Sequence, residues 1–233
     1  MGRICFLTFE RSSLREFWDS LYADEAYVYG TEPNTFLRAQ RDRLRPGQEV
    51  LAMADGEGRN GVWLAEQGLK VHAVDFSPVA QAKAEHLARS RGVDIQFEQA
   101  DLLDWRWERA RYDAIVAIFV QFVDSEERPA LFRNMKRALK PGGILILQGY
   151  TRRQIKFGTG GPSSADNMYT EPMLREAFGD MEILHLCEHD DVISEGYKHH
   201  GMSALIDMVA RVRPGADLLA RWVLSQLPGR GKH

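Results

Sequence analysis

Between residues 48 and 148 the chain alternates short apolar runs with helix-patterned segments, and this alternation narrows the fold more than any other feature. Val50 to Ala54, Val71 to Val74, Ile95 to Phe97, Tyr112 to Val120 and Ile144 to Gln148 read as strands. Gly61 to Gln67 reads as a helix closed by Gly68, and Pro78 to Gly92 as one with a glycine stop. Ser125 to Lys140 is a third helix, ended by Pro141-Gly142-Gly143. Strands and helices alternating at this spacing predict βαβ units and an α/β fold with a doubly wound, mostly parallel sheet. Beyond a loop (Gly158 to Asp166) and a helix (Glu171 to Phe178), Glu182 to Cys187 and Ala204 to Val212 complete seven strands. Glu188 to Ser203, between these last two, have no helical period to serve as a crossover. The pair is therefore expected to be antiparallel.

A length of 233 residues fits one such domain with additions. Residues 1–45 are helix-like and rich in aromatics, with a turn at Gly30-Thr31 and Pro33, and are expected to form an N-terminal helical lid. Residues 46–213 would carry the sheet and 214–233 a C-terminal tail. A net charge of −3 gives no electrostatic case for a nucleic-acid partner. Arg41-Asp42-Arg43-Leu44-Arg45 contains its own counter-charge and reads as a solvated face. Trp105-Arg106-Trp107, flanked by Asp104 and Glu108, reads as surface packing. Cys5 and Cys187 are far apart and in no metal-ligand spacing, which points to a reducing compartment and no metal. The opening MGRICFLTFE is too short in apolar residues for a signal peptide and lacks the myristoylation pattern. No run approaches the ~18 apolar residues of a membrane span. A cytoplasmic protein without a membrane partner is expected; no pattern encodes an oligomeric state.

The first predicted strand runs into Ala54-Asp55-Gly56-Glu57-Gly58-Arg59-Asn60-Gly61, which holds a complete G-x-G-x-x-G. In an open α/β sheet the ligand crevice lies at the carboxyl ends of the strands. Asp75 follows the second strand, where a carboxylate can accept both hydroxyls of a ribose. Asp101 follows the third, where it can accept from an exocyclic amine such as that of adenine, with Leu102 and Leu103 beside it. An adenosine-containing ligand fits both acids. Asp55 and Glu57 within the loop would repel a pyrophosphate, and Arg59 offsets only one of them. A sulfonium and an ammonium would instead be favoured there, which selects S-adenosylmethionine over NAD.

The ordered set from Val50 to Pro78, with Asp101, Tyr112-Asp113-Ala114-Ile115-Val116 and Leu139-Lys140-Pro141-Gly142-Gly143, resembles the class I S-adenosylmethionine-dependent methyltransferases. Tyr27-Val28-Tyr29-Gly30-Thr31-Glu32-Pro33 and Phe157-Gly158-Thr159-Gly160-Gly161-Pro162 resemble a bacterial branch related to tellurite-resistance methyltransferases. The resemblance spans roughly residues 48 to 212 and implies a Rossmann-like sheet with an antiparallel last strand. It also implies that Ala54, Gly56, Gly58 and Arg59 hold the methionine portion of the cofactor. Asp75 would bind ribose, with Phe76 against adenine and Ser77 nearby; Asp101 and Leu102 would flank the adenine. Ala117, Ile118 and Phe119 would lie beneath the cofactor. The chain departs from the family at Ala52, where many members have an acid, and at Ala54, where they have a glycine.

Methyl transfer asks the protein mainly for alignment and exclusion of water. If the last strands form a hairpin, its tip, Glu195 to Gly201, lies on the ligand edge of the sheet. His199 and His200 are then the candidates for substrate contact or proton transfer. Gln121, beyond the fourth strand, is a third candidate. Tyr22 and Tyr29 join a polar tip to an apolar body and are candidates to contact substrate from the lid. Arg152 and Arg153 are candidates for an anionic substrate. The leading expectation is methyl transfer to a small molecule. A cofactor-binding module without catalysis and an NAD-linked oxidoreductase stay open beside it.

Overall fold

The computed structural model describes residues 13–215. The myristoylation pattern, the leader, Cys5 and most of the proposed tail lie outside the described residues. A first helix, α1, covers residues 13–22. Asn34 caps the short α2 (Thr35–Ala39) by accepting from the Leu37 N–H. Strand β1 (Glu49–Met53), helix α3 (Arg59–Glu66), strand β2 (Lys70–Asp75), helix α4 (Pro78–Arg91) and strand β3 (Gln96–Gln99) follow. Then come β4 (Tyr112–Ile118), α5 (Arg128–Ala138), β5 (Leu139–Tyr150), the one-turn α6 (Gln154–Phe157) and α7 (Glu171–Phe178). Strands β6 (Glu182–Glu195) and β7 (His199–Arg211) close the fold.

The seven strands form one sheet in the order β3-β2-β1-β4-β5-β7-β6. β7 pairs antiparallel with both β5 and β6, and the other pairs are parallel. Parallel strands covered on both faces need apolar residues on both, and β1 supplies them. Leu51 and Met53 enter a cluster with Leu131, Phe132 and Met135 of α5 and Leu174 and Phe178 of α7. Val50 and Ala52 enter the opposite one, with Leu37 of α2 and Leu64 of α3. Sheet order reverses between β1 and β4, so the switch-point crevice opens above their carboxyl ends.

Local signals account for most boundaries. Ser77 caps α4, Pro78 occupies its first turn, and Gly92 ends it at φ 65°. Two expectations need correction. Lys140 lies in β5, because Leu139 pairs with Tyr112 and is buried, so the chain leaves α5 before the Pro-Gly-Gly. Residues Glu188 to Ser203 are not a long connection: they are the distal halves of β6 and β7, joined only by 196–198. The polarity of residues 188–192 reflects the edge strand β6, whose face stays wet and where apolar alternation is not needed.

Among the described residues, no helix is long and apolar enough to cross a membrane.

Candidate functional site

At the end of β1 the chain turns on Ala54, which takes φ 45° despite its side chain. Such a conformation costs roughly 1–3 kcal/mol and persists only where its surroundings impose it. Gly58 follows at φ 88°, and a Cβ there would stand 2.7 Å from Ala84 Cβ. Glycine at this point lets α3 approach α4 closely. Gly56 lies beneath α1: a Cβ on it would sit 3.1 Å from Tyr22 Oη.

Asp75 ends β2 at the side of this loop. Its Oδ2 accepts from the Gly56 N–H at 2.9 Å and its Oδ1 from the Ser77 N–H at 2.9 Å. The Phe76 N–H also donates to this carboxylate, which leaves part of its accepting capacity for another donor. Burial raises the Asp75 pKa against the pull of those amides. Ser77 accepts from the Ala80 N–H and donates to Asp19 Oδ1 of α1 at 2.5 Å. Helix α1 thus covers the ends of β1 and β2.

The two loop acids do not face a ligand as their spacing suggested. Asp55 turns into α3, where both carboxylate oxygens lie 3.1 Å from the Gly61 N–H. Burial pushes its pKa up to about 7. Glu57 is buried and accepts from the Val28 N–H at 2.8 Å and the Tyr29 N–H at 3.4 Å. Its other oxygen lies 2.5 Å from Lys83 Nζ. Lys83 in turn donates to the carbonyls of Asp24 and Ala26 at 2.8 and 2.7 Å. The Glu57–Lys83 pair therefore fastens residues 24–29 to the glycine loop, and its charge is neutralised within the protein. A pyrophosphate is still disfavoured, for a different reason. The third amide of α3 is already capped by a carboxylate, so an anion would find acid where it needs free N–H.

Across the crevice, β4 ends in a second left-handed residue, Phe119, at φ 57°. Its ring stacks on Tyr150 of β5 at 4.7 Å and meets the edge of His199 of β7 at 4.8 Å. Tyr29 approaches the same imidazole at 4.4 Å. His199 is 8% exposed, and burial, with Arg59 nearby, lowers its pKa against the opposing effect of Glu195. Its Nδ1 lies 3.6 Å from Glu195 Oε2, which is also 2.8 Å from Arg59 Nη2. Burial alone would raise the Glu195 pKa, but His199 and Arg59 outweigh it and hold it near 2. A polar chain continues behind this group. Asn34 Nδ2 donates to Glu195 Oε1 and Gln148 Oε1, and Gln148 Nε2 donates to Asp207 Oδ1, which shares its carboxylate with His189.

The hairpin tip also grips the N-terminal segment. The Tyr197 N–H donates to the Val28 carbonyl at 3.1 Å. A Cβ on Gly196 would stand 2.3 Å from the same oxygen, so no other residue fits there without movement.

The structure brings together Ala54, Gly56, Gly58, Asp75 and Ser77 beneath Tyr22, and Phe119, Arg59, Tyr29 and His199 on the adjoining side. Ala117 and Ile118 are buried at the end of β4 between them. Phe76 is half-buried, and its carbonyl accepts from Gln99. Asp101 receives the Leu103 N–H at 2.9 Å, and Leu102 is in the core. Three expectations are corrected. His200 is exposed, because neighbours on a strand point to opposite faces. The Gln121 amide is taken up by the Tyr150 backbone, accepting from its N–H at 2.6 Å and donating to its carbonyl at 2.9 Å, so it extends the sheet. Arg152 and Arg153 are exposed, and Arg153 pairs with Asp190 at 2.6 Å. Sequence spacing places Glu195 in the hairpin tip without giving it a role, and Asn34 and Lys83 were missed. Their only sequence signal is an acid four residues before His199, which is not distinctive.

Residues 50–143 match the family model described as "Methyltransferase domain". Over that segment the chain is similar to a methyltransferase domain. Phosphoethanolamine N-methyltransferase 1 of Triticum aestivum is 31% identical over 110 residues, covering 47% of this chain and 22% of that protein. The chain thus spans about a fifth of that relative's length. Among solved structures, one from work on the conversion of a disulfide bond into a thioacetal group during echinomycin biosynthesis has a TM-score of 0.72 at 20% identity. It covers 94% of this chain and 100% of its own. TehB from Haemophilus influenzae has a TM-score of 0.64 at 20% identity, over 85% of this chain and 67% of TehB. These likenesses establish a class I methyltransferase fold, with its antiparallel β7.

Proposed function

We propose that this protein transfers a methyl group from S-adenosylmethionine to a small-molecule acceptor. The observation that carries the reading is the pair of left-handed, non-glycine residues, Ala54 and Phe119, at the carboxyl ends of the two strands flanking the switch point. With Asp75 beside them, they form a built crevice in a domain of the methyltransferase family. The residues fit the cofactor. The remaining accepting capacity of Asp75 suits a ribose hydroxyl, and Asp101 suits the adenine amine. S-adenosylmethionine supplies a methyl carbon already activated by its sulfonium. The chain then has to hold the acceptor in line and keep water out. Residues 13–30, fastened by Glu57–Lys83 and by the hairpin tip, act as the lid that does this, with Tyr22 and Tyr29 on its inner side. The enclosed aromatic surface around His199 favours a small acceptor over a macromolecule.

Calorimetric titration with S-adenosylmethionine, S-adenosylhomocysteine and NAD tests the reading. Binding of the first two and not of NAD is expected, with turnover on some acceptor separating an enzyme from a binding module. Binding of NAD alone would overturn it.

A further inference from the structure

The crevice holds two buried polar groups that the cofactor does not account for. Tyr150 Oη is buried with no hydrogen-bond partner, as is His199 Nδ1, which stops 3.6 Å short of Glu195. Their rings are 5.9 Å apart, with Phe119 within 5 Å of both. Buried polar atoms in folded proteins are rarely left unpaired: Glu195 is close enough to take up Nδ1 after a small shift, whereas the Tyr150 hydroxyl calls for a bound group that pairs with it. Tyr29 and Phe119 pack against the imidazole at 4.4 and 4.8 Å, and this aromatic surround suits a flat, apolar body.

The charges nearby narrow the acceptor further. The groups that face His199 are Glu195 on its own hairpin, Arg59 from α3, Tyr29 from the N-terminal segment and Tyr150 from β5. Arg59 is committed to Glu195, so the pair brings no net charge. Arg152 and Arg153 are both exposed, and Arg153 is turned to Asp190. An oxyanion such as tellurite would enter without a dedicated cation. A neutral molecule would not need one.

Resting on the proposed methyl transfer, we infer that the acceptor is an uncharged planar compound with one weakly acidic O–H or ring N–H, and that His199 takes that proton. Glu195, itself fixed by Arg59 and Asn34, orients the imidazole by drawing Nδ1–H towards its carboxylate. Nε2, which makes no hydrogen bond in the described residues, is then the basic nitrogen. The Nδ1 distance is too long for a hydrogen bond here; such contacts tighten when substrate binds. The step balances. The acceptor's X–H proton passes to Nε2, and the X lone pair forms the X–CH3 bond. The methyl–sulfur bond breaks with its electron pair returning to sulfur, and the imidazolium later gives its proton to water. Tyr150 Oη donates to the acceptor's second lone pair. Glu195 and Tyr150 are positioning residues; His199 is the catalytic one.

The test uses the full chain with 4-nitrophenol, 4-nitrothiophenol and tellurite as acceptors, S-adenosylhomocysteine formation as the rate, and calorimetry for cofactor binding. The nitrophenol is expected to be methylated. His199→Gln should slow that reaction about 100-fold or more at pH 6, the lower bound for a general base. The deficit should shrink as the phenol ionises at higher pH, while cofactor affinity stays within twofold. Tyr150→Phe, which removes an unpaired hydroxyl and should fold normally, is expected to raise KM for the nitrophenol several-fold and leave cofactor binding alone. In NMR titration, Glu195→Gln should lower the His199 pKa further, a readout independent of turnover. Three results would overturn the inference: unchanged nitrophenol turnover in His199→Gln, turnover confined to the thiol or tellurite, or no binding of nitrophenol to the S-adenosylhomocysteine complex. Failure of the wild-type chain to bind S-adenosylmethionine would instead remove the methyltransferase reading itself.

Discussion

Lys83→Met should loosen the N-terminal segment without unfolding the sheet. In the wild type the Glu57 side chain is 2% exposed and Lys83 16%, with 2.5 Å between their charged atoms. Removing one partner of a buried ion pair costs about 3–5 kcal/mol, because the other charge is left uncompensated. Two features place this case at the lower end. The Val28 and Tyr29 amides still bond Glu57, and the Asp24 and Ala26 carbonyls freed by the substitution are exposed enough to be hydrated. About 3 kcal/mol remains, equal to roughly a hundredfold in a local opening equilibrium. The opening is local because the other bonds that hold the segment, among them Ser77 to Asp19, Tyr27 to the Lys83 carbonyl, Arg59 to the Tyr29 carbonyl and Tyr197 to Val28, lie at its own edge and outside the sheet. Hydrogen exchange read by mass spectrometry should show residues 22–30 exchanging about a hundredfold faster, while β1 and β4 keep their protection. Adding Glu57→Gln to Lys83→Met should cost little more, since the charge left behind is then gone. Wild-type exchange at Val28 and Tyr29 in Lys83→Met would refute the idea that this pair fastens the lid.

Three further outcomes are expected. Asp75→Ala should weaken S-adenosylmethionine binding by about 1.5–3 kcal/mol, the range for hydrogen bonds to a charged group, and calorimetry on the folded variant checks it. Asp55 has a folded pKa near 7, above that of the unfolded chain, so the native state binds its proton more tightly. Its contribution to stability is full at acidic pH and is lost as pH rises towards 7; Asp55→Asn, which keeps a Gly61 acceptor, should flatten that part of a urea-midpoint profile. Gly58→Ala meets both an unfavourable φ of 88° and a Cβ contact of 2.7 Å with Ala84, and should cost about 2–4 kcal/mol in chemical denaturation.

The sheet was legible because parallel strands buried on both faces must be apolar along their length. Val50 to Met53 and Tyr112 to Ile118 admit no other reading once glycine-punctuated helices separate them. β6 was legible only in its first half, since an edge strand such as Glu188-His189-Asp190-Asp191 obeys solvation and not burial. The crevice was legible for the same reason as the strands: its floor sits where strands end, and strand ends are marked by Ala54, Asp75 and Phe119.

What sequence spacing does not carry is the direction in which a side chain turns. Asp55 and Glu57 stand two residues apart beside the expected ligand, yet one caps α3 and the other holds Val28, 29 residues away in the chain. Gln121 sits at a strand end like a catalytic group and spends its amide on a neighbouring backbone. His199 and His200 make the point most sharply. Adjacent on β7, they are equivalent in any motif, and only register separates them: Glu195 pairs with His199, and Ser194 with His200. A slip of one residue would exchange them, putting His200 beside Glu195 and His199 in water. The connection at 196–198 opposes this, because a side chain moved into the Gly196 position would stand 2.3 Å from the Val28 carbonyl. The glycine in the hairpin turn, and not either histidine, therefore favours the register in which His199 is the imidazole buried beside Glu195.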